Sequence, residues 1–258
     1  MENVVTIANL SKSYGNVRAL QNINLNIPSG VVWGILGPNG SGKTTLMRII
    51  CAITHRDSGS VRVLGMDPAE FPLKLKELIG YVPEDPVLYE SMTPSEYLGF
   101  VASVRRIDRI LFEKRTGALF SALELMDYVN EPIGSLSFGN RQKVSIASAL
   151  IHDPQILVLD EALKGVDPRS SRVVKDLIRA LAGRGKTILF STHVLEIAES
   201  TCQKISILYH GSVVEEGSME EIRIRDRSSG ERLEDIFLKL TSDDAIKSMG
   251  EDLAGILG

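Results

Sequence analysis

The run Gly37-Pro38-Asn39-Gly40-Ser41-Gly42-Lys43-Thr44 follows directly on the apolar stretch Val31 to Leu36, and nothing else in the chain restricts its fold so tightly. Glycine, four residues, Gly-Lys and then Ser or Thr is the phosphate-binding loop pattern, which operates between a buried strand and the helix it opens. Three glycines let the backbone curl, so that successive N–H groups point inward at the β- and γ-phosphate oxygens of a nucleoside triphosphate. Lys43 adds a point charge between the phosphates. The Thr44 hydroxyl stands where a Mg²⁺ bridging those oxygens takes a hard oxygen ligand. Leu46, Ile49 and Ile50 continue at helical spacing, so the required context of strand, loop and helix is present.

The rest of the chain supplies a frame for that loop. Val4 to Ala8 and Ile23 to Ile27 alternate apolar and polar around the turn-prone stretch Ser11 to Asn16, which predicts an antiparallel lead-in. Ser58-Gly59-Ser60 turns into a strand at Val61 to Leu64, and the pattern from Pro68 to Ile79 is helical. From about Pro83 to Pro132 β-branched residues thin out and helical periodicity takes over, which predicts an inserted helical subdomain. Ile156 to Leu159, Thr187 to Phe190 and Ile205 to Leu208 lack alternation, as parallel strands covered on both faces do. Between the first two, Val173, Val174, Leu177, Ile178 and Leu181 mark a crossover helix. The expected core is doubly wound α/β. A short strand follows at Ser212 to Glu215, then a charged linker from Arg223 to Arg232, then an amphipathic helix carrying Leu233, Ile236, Phe237 and Leu240.

Composition narrows the partners. A net charge of −4 and a pI near 5.7 give no basic footprint for nucleic acid, which is not an expected partner. No basic-plus-apolar leader follows Met1, and no apolar run nears the ~18 residues of a membrane helix, so a soluble, unexported chain is expected. Cys51 and Cys202 belong to no metal-ligand spacing and read as reduced core thiols.

Two further groups carry chemistry. Ile156-Leu157-Val158-Leu159 ends in Asp160-Glu161, two carboxylates at the carboxyl end of a buried strand. Asp160 suits the metal, directly or through water, and Glu161, turned the other way, suits a general base on the attacking water. Leu136-Ser137-Phe138-Gly139-Asn140 precedes a helix through Val144, Ile146, Ala147 and Leu150; such a start is an anion site, or an ordinary cap by Ser137.

In the order of these motifs, Met1 to Gly217 resembles the nucleotide-binding subunit of an ATP-binding cassette (ABC) transporter, of the exporter-like branch whose membrane subunit is a separate chain. The resemblance implies a P-loop NTPase (RecA-like) α/β core, an antiparallel β subdomain and a helical subdomain at about 84–150, followed by an extension at 218–258. It implies nucleotide contacts from Gly37, Pro38, Asn39, Gly40, Ser41, Gly42, Lys43, Thr44 and Thr45, with an aromatic ring, Tyr14, stacked on adenine. Leu136 to Asn140 matches the signature loop, contributing Ser137, Gly139 and Asn140. Gly165-Val166-Asp167 matches the D-loop, and Ser191-Thr192-His193 the switch histidine, so that Glu161 and His193 are the implied catalytic pair. Thr44, Glu84 and Asp160 are the implied Mg²⁺ ligands. In this family two copies pair head to tail, so that Ser137 and Gly139 of one close over the γ-phosphate held by Lys43 of the other. The implied partners are membrane permease subunits and a second nucleotide-binding subunit, identical or related, and the implied place is the cytoplasmic face of the cell membrane.

Several residues depart from the pattern. Glu84 replaces the usual glutamine; a carboxylate ~4 Å from phosphate charge costs on the order of 4 kcal/mol at an effective dielectric of 20, so Glu84 is expected on the metal or turned away. Phe138 replaces glycine, Asn140 glutamine, and Ala162-Leu163 the usual Pro-Thr. Leu88, Tyr89, Met92 and Tyr97 lie where the family receives its membrane partner, and about half of them are expected in the helical core instead. The alternative is a soluble ABC ATPase that remodels another partner, such as the iron–sulfur assembly type. A phosphoryl-transferring kinase leaves the signature loop and His193 unexplained.

Overall fold

The computed structural model describes residues 2–225 and 233–241. Its centre is a six-stranded sheet in the order β5-β6-β7-β3-β8-β9, formed by β3 (Val32–Leu36), β5 (Ile79–Val82), β6 (Ile156–Asp160), β7 (Thr187–Thr192), β8 (Lys204–Tyr209) and β9 (Ser212–Gly217). All neighbours are parallel except β8 and β9, which form an antiparallel hairpin. Both faces are covered, and the strands show why they lack alternation. Val32 and Leu36 of β3 enter one apolar core, while Trp33 and Ile35 enter the other. In β6, Leu157 and Leu159 divide from Ile156 and Val158 in the same way.

One face carries α1 (Lys43–Ile50) and a second sheet, β2-β1-β4, made of β1 (Asn3–Tyr14), β2 (Val17–Pro28) and β4 (Ser58–Val63). The lead-in is antiparallel as expected, but its strands are longer than the alternation marks. Ser11 to Tyr14 are strand residues, and the turn shrinks to Gly15-Asn16. Irregular register between Ile7 and Leu10 and again between Leu10 and Ser13 breaks the period of two that sequence reading relies on.

The opposite face carries α3 (Pro94–Val104), α4 (Arg109–Ala122), α5 (Phe138–Leu150), α6 (Pro168–Gly183) and α7 (Leu195–Thr201). Each of the first three starts at a side-chain cap: Thr93 with Glu96 in a capping box, Asp108, and Ser137. The helix in the Pro68 to Ile79 stretch is only α2 (Pro72–Leu78), and Ile79–Val82 turns into the edge strand β5, which the periodicity does not reveal. A Cβ on Gly80, near the middle of β5, would lie 2.3 Å from the Ala149 carbonyl oxygen, so glycine is what lets α5 press onto the strand.

After β9 the chain forms α8 (Met219–Arg225) and α9 (Leu233–Thr241). Arg223 to Arg225, expected in a linker, end a helix whose last turn is basic, as the helix dipole favours, and residues 226–232 of that linker lie outside the described residues. Leu233 and Ile236 are buried in the same core as α6 and α7, with Phe237 packed against it. Cys51 and Cys202 are free buried thiols, and burial pushes the Cys202 thiol up to about 12. No helix among the described residues is long and apolar enough to cross a membrane.

Candidate nucleotide site

The glycine-rich loop leaves β3 and enters α1 through Gly42, whose φ of 108° lies in the left-handed region. A Cβ at Gly42 would stand 2.4 Å from the Ala19 carbonyl oxygen, so the loop closes against β2 only because this residue has none. Ser41 N donates to Pro38 O at 3.2 Å, and the Ser41 carbonyl accepts from Gly211 N at 3.1 Å. Lys43 is buried; its Nζ donates to Gly37 O at 2.8 Å and Pro38 O at 3.1 Å and stands 3.9 Å from Glu161 Oε1. Burial lowers the Lys43 pKa, opposed by the charges of Glu161, Asp160 and Glu84. The loop from Asn39 to Thr45, with Val17, Ala19, Glu84 and Glu161, lines a cleft of about 400 Å³.

The two carboxylates ending β6 point different ways for a local reason. Asp160 is fully buried; its Oδ1 accepts from Ser191 Oγ at 2.6 Å and its Oδ2 from Tyr81 Oη at 3.4 Å. Glu161 has φ 50°, a left-handed conformation costing roughly 1–2 kcal/mol for a residue with a Cβ. Its N–H donates to Ser191 Oγ at 3.0 Å and to the Ser191 carbonyl at 3.2 Å, which holds that strained turn in place. Glu161 Oε1 therefore meets both Lys43 and His193, with His193 Nδ1 2.9 Å away. Glu84 lines the cleft and accepts from Lys164 Nζ at 2.7 Å. Tyr14 ends β1, half exposed, with Lys12 Nζ 5.3 Å from its ring centroid.

Ser137, Gly139, Asn140 and Asp167 gather elsewhere, around a second cleft of about 650 Å³. Ser137 Oγ caps α5 by accepting from Asn140 N at 3.2 Å. A Cβ on Gly139 would lie 2.4 Å from Gly165 O, and one on Gly165 would lie 2.7 Å from the Phe138 ring. Phe138, the departure from the usual glycine, thus packs over a bare backbone. Asp167 caps α6 through Ser170 N at 2.8 Å and pairs with Lys143 Nζ at 2.6 Å. The Lys143 bond, then that of Ser170 N, holds the Asp167 carboxyl well below the usual carboxylate range.

With this geometry in view, the chain was compared with known proteins. Residues 20–164 match the family model described as ABC transporter. The ABC transporter ATP-binding protein NatA of Bacillus subtilis (strain 168) is 35% identical over 240 residues, covering 91% of this chain and 97% of that protein. The chain belongs to the ABC transporter family. The daunorubicin/doxorubicin resistance ATP-binding protein DrrA of Streptomyces peucetius is 32% identical over 219 residues, covering 85% of this chain and 66% of that protein. Among solved structures, an ATP binding subunit of an ABC transporter superposes with a TM-score of 0.88 at 28% identity, over 93% of this chain and all of that one. A dimeric, post-hydrolysis ATP-binding cassette bound to ADP and Pi gives 0.76 at 28% identity, over 83% of this chain and 98% of that one.

The fold is accordingly that of a P-loop NTPase, and this ABC-family chain is an ATPase. Its first cleft fits a Mg-nucleotide. The donors facing the cleft are hard oxygens, the Thr44 and Glu84 side chains, with Asp160 ending β6 beside it. Ser41 Oγ is buried with no hydrogen-bond partner among the described residues, a donor left for an anion. No cluster of three His, Cys, Asp or Glu that could hold a metal occurs among the described residues, so a cation here would draw the rest of its shell from water or phosphate oxygens.

Three supporting residues escaped sequence reading. Ser191 holds both Asp160 and the Glu161 backbone, and its only signal was a place two residues before His193. Lys143 and Lys164 belong to no motif that marks a partner and find their acidic partners only through the fold. Of the four residues expected at the partner surface, Leu88 and Tyr97 pack on the core, whereas Tyr89 is 56% exposed and stacks edge-on with Tyr97 and Phe100.

Proposed function

We propose that this ATPase hydrolyses Mg-ATP at a site shared by two copies, or by one copy and a related chain, and thereby drives a separate membrane permease, in the direction of export. The observation that carries the reading is the separation of the two clefts. One is lined by a lysine and a strained glutamate that in turn pairs with His193; the other offers a capped helix start and a glycine. Head-to-tail pairing would bring the two together over one nucleotide.

In this mechanism the loop amides and Lys43 hold the β- and γ-phosphates, with the Tyr14 ring against the adenine. Thr44, Asp160 and Glu84 would hold Mg²⁺, which when bound neutralises charge on the phosphates. Glu161 orients a water and takes its proton as the water oxygen bonds to the γ-phosphorus and the bond to the ADP oxygen breaks. His193, paired with Glu161 Oε1, holds the glutamate in register and reaches the γ-phosphate. Ser137, Gly139 and Asn140 of the second chain would cover that phosphate, with Asp167 at the seam. The cassette would span 1–217, with its helical part at 84–150 and an extension at 218–258.

Export is supported by the daunorubicin/doxorubicin resistance relative. The permease would place the chain at the cytoplasmic face of the membrane. Relatives with transporter names do not favour a soluble remodelling role.

The test is sedimentation of the Glu161→Gln chain with and without Mg-ATP. An ATP-dependent dimer with turnover nearly abolished is expected; a chain that hydrolyses ATP undiminished would place the base elsewhere. One that binds ATP tightly but stays monomeric would remove the shared site.

A further inference from the structure

One departure from the family pattern meets a lysine from a distant loop. Glu84 stands where the resemblance puts glutamine, and Lys164 follows Glu161 by three residues, in the turn leading to Gly165 and Asp167. They are 80 positions apart, yet Lys164 Nζ donates to Glu84 Oε1 at 2.7 Å. The backbone on each side is separately held. Gln142 Nε2, from fully buried Gln142 on α5, donates to Pro83 O at 3.1 Å, and Lys164 N donates to Glu161 O at 3.0 Å. The ion pair therefore bridges the loop after β5 and the loop after β6 at the rim of the cleft, with only the side chains left to adjust.

The charge of the cleft explains why a bridge is needed. Asp160 and Glu161 already end β6 there, and Lys43 is the cation placed against them; Asp160 has its own hydroxyl donors. A third carboxylate facing a polyanion makes the cleft repulsive, whereas the glutamine of the usual pattern adds no charge. Lys164 restores that neutrality from outside.

We propose that Lys164 is a positioning residue for nucleotide binding. It neutralises Glu84 and holds it at the rim, so that a glutamate serves where an amide otherwise stands, and it yields Glu84 when a Mg-nucleotide enters. The proposal rests on the reading of this cleft as the Mg-ATP site.

The experiment is ATP affinity by titration calorimetry, in Mg²⁺ and in EDTA, for the unaltered chain, Lys164→Ala, Lys164→Arg, Glu84→Gln and the Lys164→Ala/Glu84→Gln double variant. Lys164→Ala should weaken binding about tenfold in EDTA, where the bare carboxylate faces the phosphates, and only about threefold in Mg²⁺. Lys164→Arg should stay within about twofold of the unaltered chain, and Lys164→Ala should cost about twofold or less once Glu84 is Gln. A lysine that merely props its loop, or attracts phosphate directly, would cost as much in the Glu84→Gln background and in both buffers, and that result overturns the proposal alone. No ATP binding by the unaltered chain overturns the site reading and this proposal with it.

Discussion

The two clefts of this chain are built on opposite principles. Around the glycine-rich loop three charged groups are buried and satisfied within one chain: Asp160 is 0%, Lys43 6% and Glu161 7% exposed, each tied to a neighbour from another strand or loop. Around Ser137 the polar groups lie at a helix start, and the buried partner is Lys143, whose role is to fasten α5 to the loop before α6. Beside the first cleft Lys43 and His193 already stand 3.9 and 2.9 Å from Glu161 Oε1, while the second offers a capped helix start and a glycine. A buried constellation must find its partners in its own chain because unpaired charge there is costly. An exposed helix terminus bears no such cost and can wait for another molecule.

Three substitutions test that contrast, beginning with the largest effect. Gly42→Ala should abolish measurable ATP binding, a loss of two orders of magnitude or about 2.7 kcal/mol, because φ 108° and the Ala19 carbonyl 2.4 Å away both exclude a methyl. Titration with ATP reads it directly, and near-normal affinity would mean the loop can relax without losing its grip.

Gly139→Ala should leave ATP binding to the isolated chain within about twofold while cutting ATPase activity about tenfold or more, since a methyl displaces α5 from Gly165 O, 2.4 Å away. Steady-state turnover beside nucleotide titration separates the two effects. Equal losses of binding and turnover would show that the clefts are not independent.

The smallest effect belongs to Asp167→Asn. Asparagine still caps α6, so the change isolates the ion pair with Lys143. With Asp167 partly exposed, the loss near neutral pH should be about 1 kcal/mol in urea unfolding. The carboxyl is held below its usual range in the fold, so its contribution is present above the unfolded value near 3.8 and is lost as pH falls through the lowered one. The variant and unaltered chains should therefore converge in acid; a gap that persists there would mean the Lys143 bond is not what stabilises α6.

What was legible in the sequence follows this contrast. Asp160-Glu161 could be read because a run of four apolar residues aims at them, and the glycine-rich loop because its glycines are demanded by backbone geometry. Strand β5 was not legible: four residues are too few to show a period, and what makes room for α5 against them is the missing Cβ of Gly80. The Ser11 to Tyr14 strand was hidden by turn-prone residues that the pairing with β2 overrides.

By itself, the sequence determined the local chemistry: which loop curls around an anion and which strand is buried on both faces. Those properties depend on neighbours a few positions away. Only the tertiary structure decided the pairings over long distance, Lys164 with Glu84, Ser191 with Asp160 and Lys143 with Asp167, and the division of the site residues between two clefts. A surface lysine carries no mark of the carboxylate it will meet, because that choice is made by strand order and helix packing, not by the residues beside it.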